Sequence, residues 1–90
     1  MIKGYRDTPV EWKIPPAEIY KSRGWTHQIE YLLPDGSITF QRLVCPADKK
    51  HVWHPKSGIE AFVEFREWEI EEGFTEAGYV KIVSVVELPQ

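Results

Sequence analysis

The chain has 90 residues, of which 42% are hydrophobic and 28% charged, and a formal net charge of −3. This length predicts one small domain over residues 1–90, because chains divide into separate cores only at about two to three times this size. The composition is too hydrophobic for a disordered chain. The single cysteine, Cys45, excludes an intrachain disulfide. Together with a polar start unlike a secretory signal, it predicts a cytoplasmic protein. Apolar runs of at most three residues exclude an integral membrane protein.

The first elements are short. Val10, Trp12 and Ile14 alternate with polar residues and predict a strand over residues 9–14. Pro15 and Pro16 end it, because proline has no amide N–H to donate. Residues 16–22 then predict one or two helical turns that end at Gly24.

A hairpin is the clearest prediction from the pattern. Residues 27–33 and 37–44 are rich in β-branched and aromatic side chains, and they flank the turn triplet Pro34, Asp35 and Gly36. The alternation places Ile29 and Tyr31 on one face of the first strand.

The second half is less regular. Residues 45–58 carry two prolines and no sustained period, which predicts a long loop. Residues 59–70 predict a strand with a β-bulge near Arg66, and residues 79–88 predict a further strand. A helix is the alternative for the earlier run, because Ser57 and Glu60 have capping-box spacing and Gly73 could end it. Its apolar residues, however, scatter around a helical wheel.

These elements predict a mostly β fold, a small antiparallel barrel or sandwich of the OB or SH3-like kind with at most one short helix. The alternative is an α+β fold in which residues 58–72 are helical.

Charge is divided unevenly along the chain. Residues 1–56 have a balance of +3 and residues 57–90 a balance of −6. In a strand, Glu67, Glu69 and Glu71 would line one face about 7 Å apart, a row that a basic protein surface would stabilise. The alternatives are a solvated face or an edge strand charged against aggregation. The predicted partner-binding residues are Glu64, Glu67, Glu69, Glu71, Trp68 and Phe74.

The loop contains zinc-ligand residue types in the spacing Cys-x5-His-x2-His, namely Cys45, Asp48, His51 and His54. This matches no recognised finger spacing, and a buried apolar cysteine with exposed loop histidines is the simpler explanation. Activation of Cys45 as a nucleophile by one of these histidines lacks an evident orienting group. We therefore expect no cofactor, no metal and no catalysis.

Nucleic-acid binding is an alternative function. Four Trp and four Tyr are many for this length, and small barrels stack bases on exposed rings beside basic residues. The negative net charge opposes it. The candidate residues are Lys21, Arg23, Trp25, Arg42, Lys49, Lys50, Trp53 and Lys56.

The sequence therefore predicts a non-catalytic binding or adaptor module that contacts a basic protein surface through an acidic C-terminal hairpin. The alternative is single-stranded nucleic-acid binding through residues 21–56. The oligomeric state is not predicted.

Overall fold

A computed structural model describes residues 14–51 and 54–90. Their fold is α+β, with two helices and an open three-stranded antiparallel sheet. The elements are α1 (Ala17–Arg23), β1 (His27–Leu32), β2 (Ile38–Leu43), α2 (Gly58–Glu72) and β3 (Lys81–Glu87). The predicted barrel or sandwich is wrong, and the alternative with residues 58–72 helical is right. The predicted strand residues Val10 and Trp12, and also Trp53, lie outside the described residues.

Helix α1 confirms the helical turns predicted for residues 16–22. Pro16 precedes it, where a missing N–H costs no helical hydrogen bond. Gly24 ends it in the left-handed region, at φ 73°. The buried Tyr20 donates its hydroxyl hydrogen to the carbonyl of Pro89, so α1 is fixed against the residues after β3.

The predicted hairpin is confirmed. β1 and β2 pair from His27 with Leu43 to Leu32 with Ile38. In the turn, the Asp35 carboxylate accepts hydrogen bonds from the backbone N–H and hydroxyl of Ser37. These two bonds stabilise the ionised carboxylate and lower the pKa of Asp35.

β1 is the central strand, with β2 on one side and β3 on the other. Ile29 and Tyr31 are fully buried on the face that α2 covers, where Arg66 of α2 bonds the Tyr31 hydroxyl. On the opposite face, the buried Gln28 accepts a hydrogen bond from Arg42. β1 is therefore buried on both faces.

Helix α2 replaces the strand predicted for residues 59–70, and no bulge occurs at Arg66. The helix ends at Gly73, which has φ 75°. Its apolar residues do not share one face of the helical wheel, because different sides of α2 contact different parts of the protein. Ala61 is fully buried, whereas Ile59 lines a cavity with Cys45, and Ile70 lines a depression beside β3. The register shift occurs instead in β3, between the pairs of Glu30 and Tyr31.

Neither described helix could cross a bilayer, since the longer has 15 residues and a span needs about 20 apolar ones.

Candidate functional site

The outer face of α2 carries a row of carboxylates, here called the acidic stripe: Glu60, Glu64, Glu67 and Glu71. All four are exposed. Their spacing of four, three and four residues places them within an arc of about 60° along about 16 Å of helix. Helical geometry thus aligns them on one face. The predicted row of Glu67, Glu69 and Glu71 is wrong in its geometry, because it assumed the period of a strand.

Glu69 lies on another side of α2. Its carboxylate accepts a hydrogen bond from the Arg66 guanidinium at 3.0 Å, and both side chains are 20% exposed. Arg66 also donates to the Tyr31 hydroxyl and the Gln41 side-chain oxygen, and its guanidinium lies 5.3 Å from the Phe62 ring centroid. Glu69 therefore belongs to the contact between helix and sheet.

The protein's own cations occupy one end of the acidic stripe. The Lys56 ammonium donates to Glu60 at 2.8 Å and to Glu64 at 2.6 Å, and a His54 ring nitrogen lies 3.2 Å from Glu64. The hydrogen bonds that Lys56 donates to Glu60 and then to Glu64 raise its pKa. The bond from Lys56, and a weaker one from His54, lower the pKa of Glu64. The carboxylates of Glu67 and Glu71, at the other end, lie outside this ion-pair network.

We expect Lys56→Met to raise the pKa of Glu64 towards its ordinary value of 4.5, because the strongest stabilising bond to the carboxylate is lost. In the wild type the folded-state pKa is lowered. The ion pair therefore stabilises the fold above the unfolded pKa, and this stabilisation is lost as the pH falls through the folded pKa. Side-chain carboxyl NMR titration measures the pKa of Glu64 in the folded wild type and in Lys56→Met. Lys21→Met is the control, and an unchanged Glu64 midpoint in Lys56→Met would contradict the assignment.

Aromatic rings lie beside the stripe, in a group here called the aromatic cluster: the half-buried Phe65 and the exposed Trp68 and Phe74. The Trp68 and Phe74 rings meet edge to face with centroids 5.4 Å apart, and Phe65 lies 5.8 Å from Trp68. Trp68 is 49% and Phe74 61% exposed. A shallow depression of about 390 Å³ joins the cluster to the stripe, lined by His54, Glu64, Phe65 and Trp68. Apolar and anionic groups therefore form one continuous surface.

The described residues among those predicted for nucleic-acid binding lie on or just after α1, on β2 and in the loop before α2. Arg23 lies over the Trp25 ring at 5.3 Å, at the end of α1. Arg42 bonds Gln28 on the sheet, and Lys56 lies in the acidic stripe. Lys21, Lys49 and Lys50 are exposed. The charge of Lys56 is therefore balanced by carboxylates of α2.

The predicted zinc-ligand types are also dispersed. Cys45 is fully buried, Asp48 is exposed and His54 bonds Glu64. In residues 14–51 and 54–90, no three His, Cys, Asp or Glu side chains are placed to hold a metal ion. Cys45 instead lines a cavity of about 260 Å³ with His27 and Glu87. Burial raises the pKa of Cys45 and lowers that of His27, and a raised pKa disfavours the thiolate form of Cys45 that nucleophilic chemistry needs.

Sequence reasoning missed the part played by Glu60, which the spacing of the four glutamates on a helical wheel could have found. The chain matches none of the protein-family models, curated proteins or solved structures with which it was compared.

Proposed function

We propose that this protein is a non-catalytic binding module that docks onto a basic protein surface through the outer face of α2. The observation that carries the proposal is the adjacency of the acidic stripe and the aromatic cluster, in which Trp68 and Phe74 are exposed. The docking element is a helix, not the hairpin that the sequence predicted. The lone free cysteine, Cys45, is consistent with a cytoplasmic setting.

The charge of α2 favours a cationic partner. The helix contains six Glu and one Arg, and its last turn holds no basic residue. Glu71 and Glu72 therefore lie near the negative end of the helix dipole, which destabilises them. A partner's lysine or arginine placed there would relieve this repulsion and would also speed association.

The aromatic cluster supplies the apolar part of such an interface. Side chains of Trp and Phe that are exposed in the free protein and become desolvated on binding commonly contribute most of the binding energy. The face of Trp68 is also suited to an arginine or lysine, because a cation over an indole ring is attracted by its quadrupole. The expected partner surface is therefore basic with at least one apolar or aromatic side chain.

Titration calorimetry with a synthetic amphipathic peptide of alternating Arg and Leu tests this proposal. We expect Trp68→Ala and the double variant Glu67→Lys, Glu71→Lys each to weaken binding about tenfold or more. Glu69 is left unchanged in this design because it bonds Arg66. Lys56→Met should strengthen binding, because it removes an internal cation from Glu60 and Glu64.

Glu18→Lys, an equivalent charge reversal on the exposed surface of α1, is the matched control and should bind the peptide nearly as the wild type does. The proposal is wrong if the wild type ignores the basic peptide, or if Glu18→Lys weakens binding as much as the α2 variants do. Binding of single-stranded oligonucleotide at low salt that depends on Lys21 and Arg23 would establish the alternative instead.

A further inference from the structure

A groove between α2 and the start of β3 lies on the side of the acidic stripe that is away from the aromatic cluster. With about 100° of rotation per residue, Trp68 lies about 70° to one side of the stripe and Ile70 about 90° to the other. The groove has a volume of about 320 Å³ and is lined by Glu67, Ile70, Glu71, Val80, Lys81 and Ile82. The groove and the aromatic cluster are therefore separate contact sites on the two sides of one row of carboxylates.

Three of the residues that line the groove are apolar. Ile70 and Ile82 are half-buried, and Val80 is 49% exposed. The volume of about 320 Å³ is near the lower limit of small-ligand sites, which is about 300 Å³. The groove therefore suits a single long side chain of a partner, whose methylene groups would cover the exposed valine.

The charge of the groove is unbalanced. Glu67 and Glu71 are exposed and lie one helical turn apart on α2. Lys81 is the one cation among the described residues that line the groove. The ion pairs within the described part of the chain involve none of these three side chains. Two carboxylates thus face one ammonium, and the excess negative charge favours a further cation.

We infer that this groove selects an arginine side chain of the partner over a lysine, an inference that rests on the proposed docking of α2. The guanidinium donates to both Glu67 and Glu71, because its planar fork of five N–H donors can reach two carboxylates at once. The arginine stem lies along Val80 and Ile70. A lysine ammonium is a compact and more strongly hydrated charge, so it gains less from leaving water for the groove.

Titration calorimetry with two peptides tests this inference: the peptide of alternating Arg and Leu, and a peptide of the same length in which Lys replaces every Arg. We expect the wild type to bind the arginine peptide about tenfold more tightly than the lysine peptide. Glu67→Gln and Glu71→Gln should each reduce this ratio to about threefold or less, because the guanidinium then meets one carboxylate instead of two.

Glu60→Gln is the matched control. It removes one charge from the same stripe, at the end where Lys56 is bound, so it should affect both peptides alike and leave the ratio unchanged. Far-UV circular dichroism checks that each variant is folded.

The failure of this inference can be distinguished from the failure of the proposed function. Equal affinity of the wild type for the two peptides overturns the inference and leaves the proposed function standing, whereas binding of neither peptide overturns both. A preference for arginine that persists in Glu67→Gln and Glu71→Gln also overturns the inference. If that preference is lost in Trp68→Ala instead, the arginine binds at the aromatic cluster and not in the groove.

Discussion

Gly58→Ala is expected to lower the free energy of unfolding by about 2 to 4 kcal/mol. Gly58 has φ 69°, where an L side chain is strained. A Cβ there would lie 2.9 Å from the carbonyl oxygen of Ala47 and 3.2 Å from its Cα. These are backbone atoms, which cannot rotate away. The contact is also held by the bond from the Gly58 N–H to the carbonyl of Lys49.

Gly73→Ala is the matched control. Gly73 has nearly the same backbone conformation, with φ 75°, but no atom of the described residues lies within 4 Å of the position that a Cβ would take. Gly73→Ala should therefore lower the free energy of unfolding only by the cost of placing an L residue at positive φ, about 1 kcal/mol. Chemical denaturation followed by circular dichroism measures both. Equal losses in the two variants would contradict a close approach between α2 and Ala47.

Arg66→Met is expected to destabilise the fold by about 2 to 4 kcal/mol. The substitution keeps an apolar stem but removes the guanidinium, which donates to Tyr31, Glu69 and Gln41. It also removes a cation lying 5.8 Å from the Tyr31 ring centroid. Tyr31 is fully buried and stacks on Tyr79 with centroids 4.0 Å apart, so the loss occurs at the centre of the contact between helix and sheet.

The Tyr31 phenol provides a specific measurement for Arg66→Met. Burial raises the pKa of Tyr31, and the charge and hydrogen bond of Arg66 oppose that rise. Removing Arg66 should therefore raise the pKa further, as an ultraviolet titration of the phenols would detect. Arg23→Met is the control, since Arg23 and its ring contact with Trp25 lie at the exposed end of α1. A Tyr31 pKa that stays the same or falls would contradict the role assigned to Arg66.

Much of the sheet could be predicted because local chemistry determines it. Pro34, Asp35 and Gly36 favour a turn wherever the flanking strands can pair. Gly24 ends α1 in the left-handed conformation that glycine adopts most easily. The strand predicted for residues 79–88 is confirmed as β3. The alternation of Val80 and Ile82 correctly predicts a strand, but the register shift within β3 interrupts it. That shift depends on how β3 pairs with β1, so the sequence of β3 alone does not predict it.

Residues 59–70 were wrongly predicted because neither the alternation typical of a strand nor the single apolar face typical of a helix is clear in this run. A helix with one apolar face would have been recognised, but Arg66 lies among rings on the buried side of α2 and Trp68 is exposed on the outside. The capping pattern at Ser57 was the correct sign of a helix start. However, the Ser57 hydroxyl donates to the carbonyl of Ala47, ten residues earlier, so it fixes the preceding loop.

The candidate site was predicted by composition but not by geometry. The concentration of glutamates near Trp68 and Phe74 was visible in the sequence. The helical period determines which glutamates share a face. The acidic stripe therefore contains Glu60 in place of the predicted Glu69. The pairing of Lys56 with Glu60 and Glu64 depends on the path of the loop before α2. That path is fixed by contacts such as that of Gly58 with Ala47, which join residues that are not neighbours in the sequence.

The central claim is that the outer face of α2 binds a basic, partly apolar surface. A ¹⁵N NMR titration with the Arg and Leu peptide tests it most directly, because it locates the contact. We expect saturable shift changes in the backbone of residues 60–74 and in the Trp68 indole N–H, and we expect Trp68→Ala to reduce them. Shift changes centred on α1 or the sheet, or none at saturating peptide, would contradict the claim.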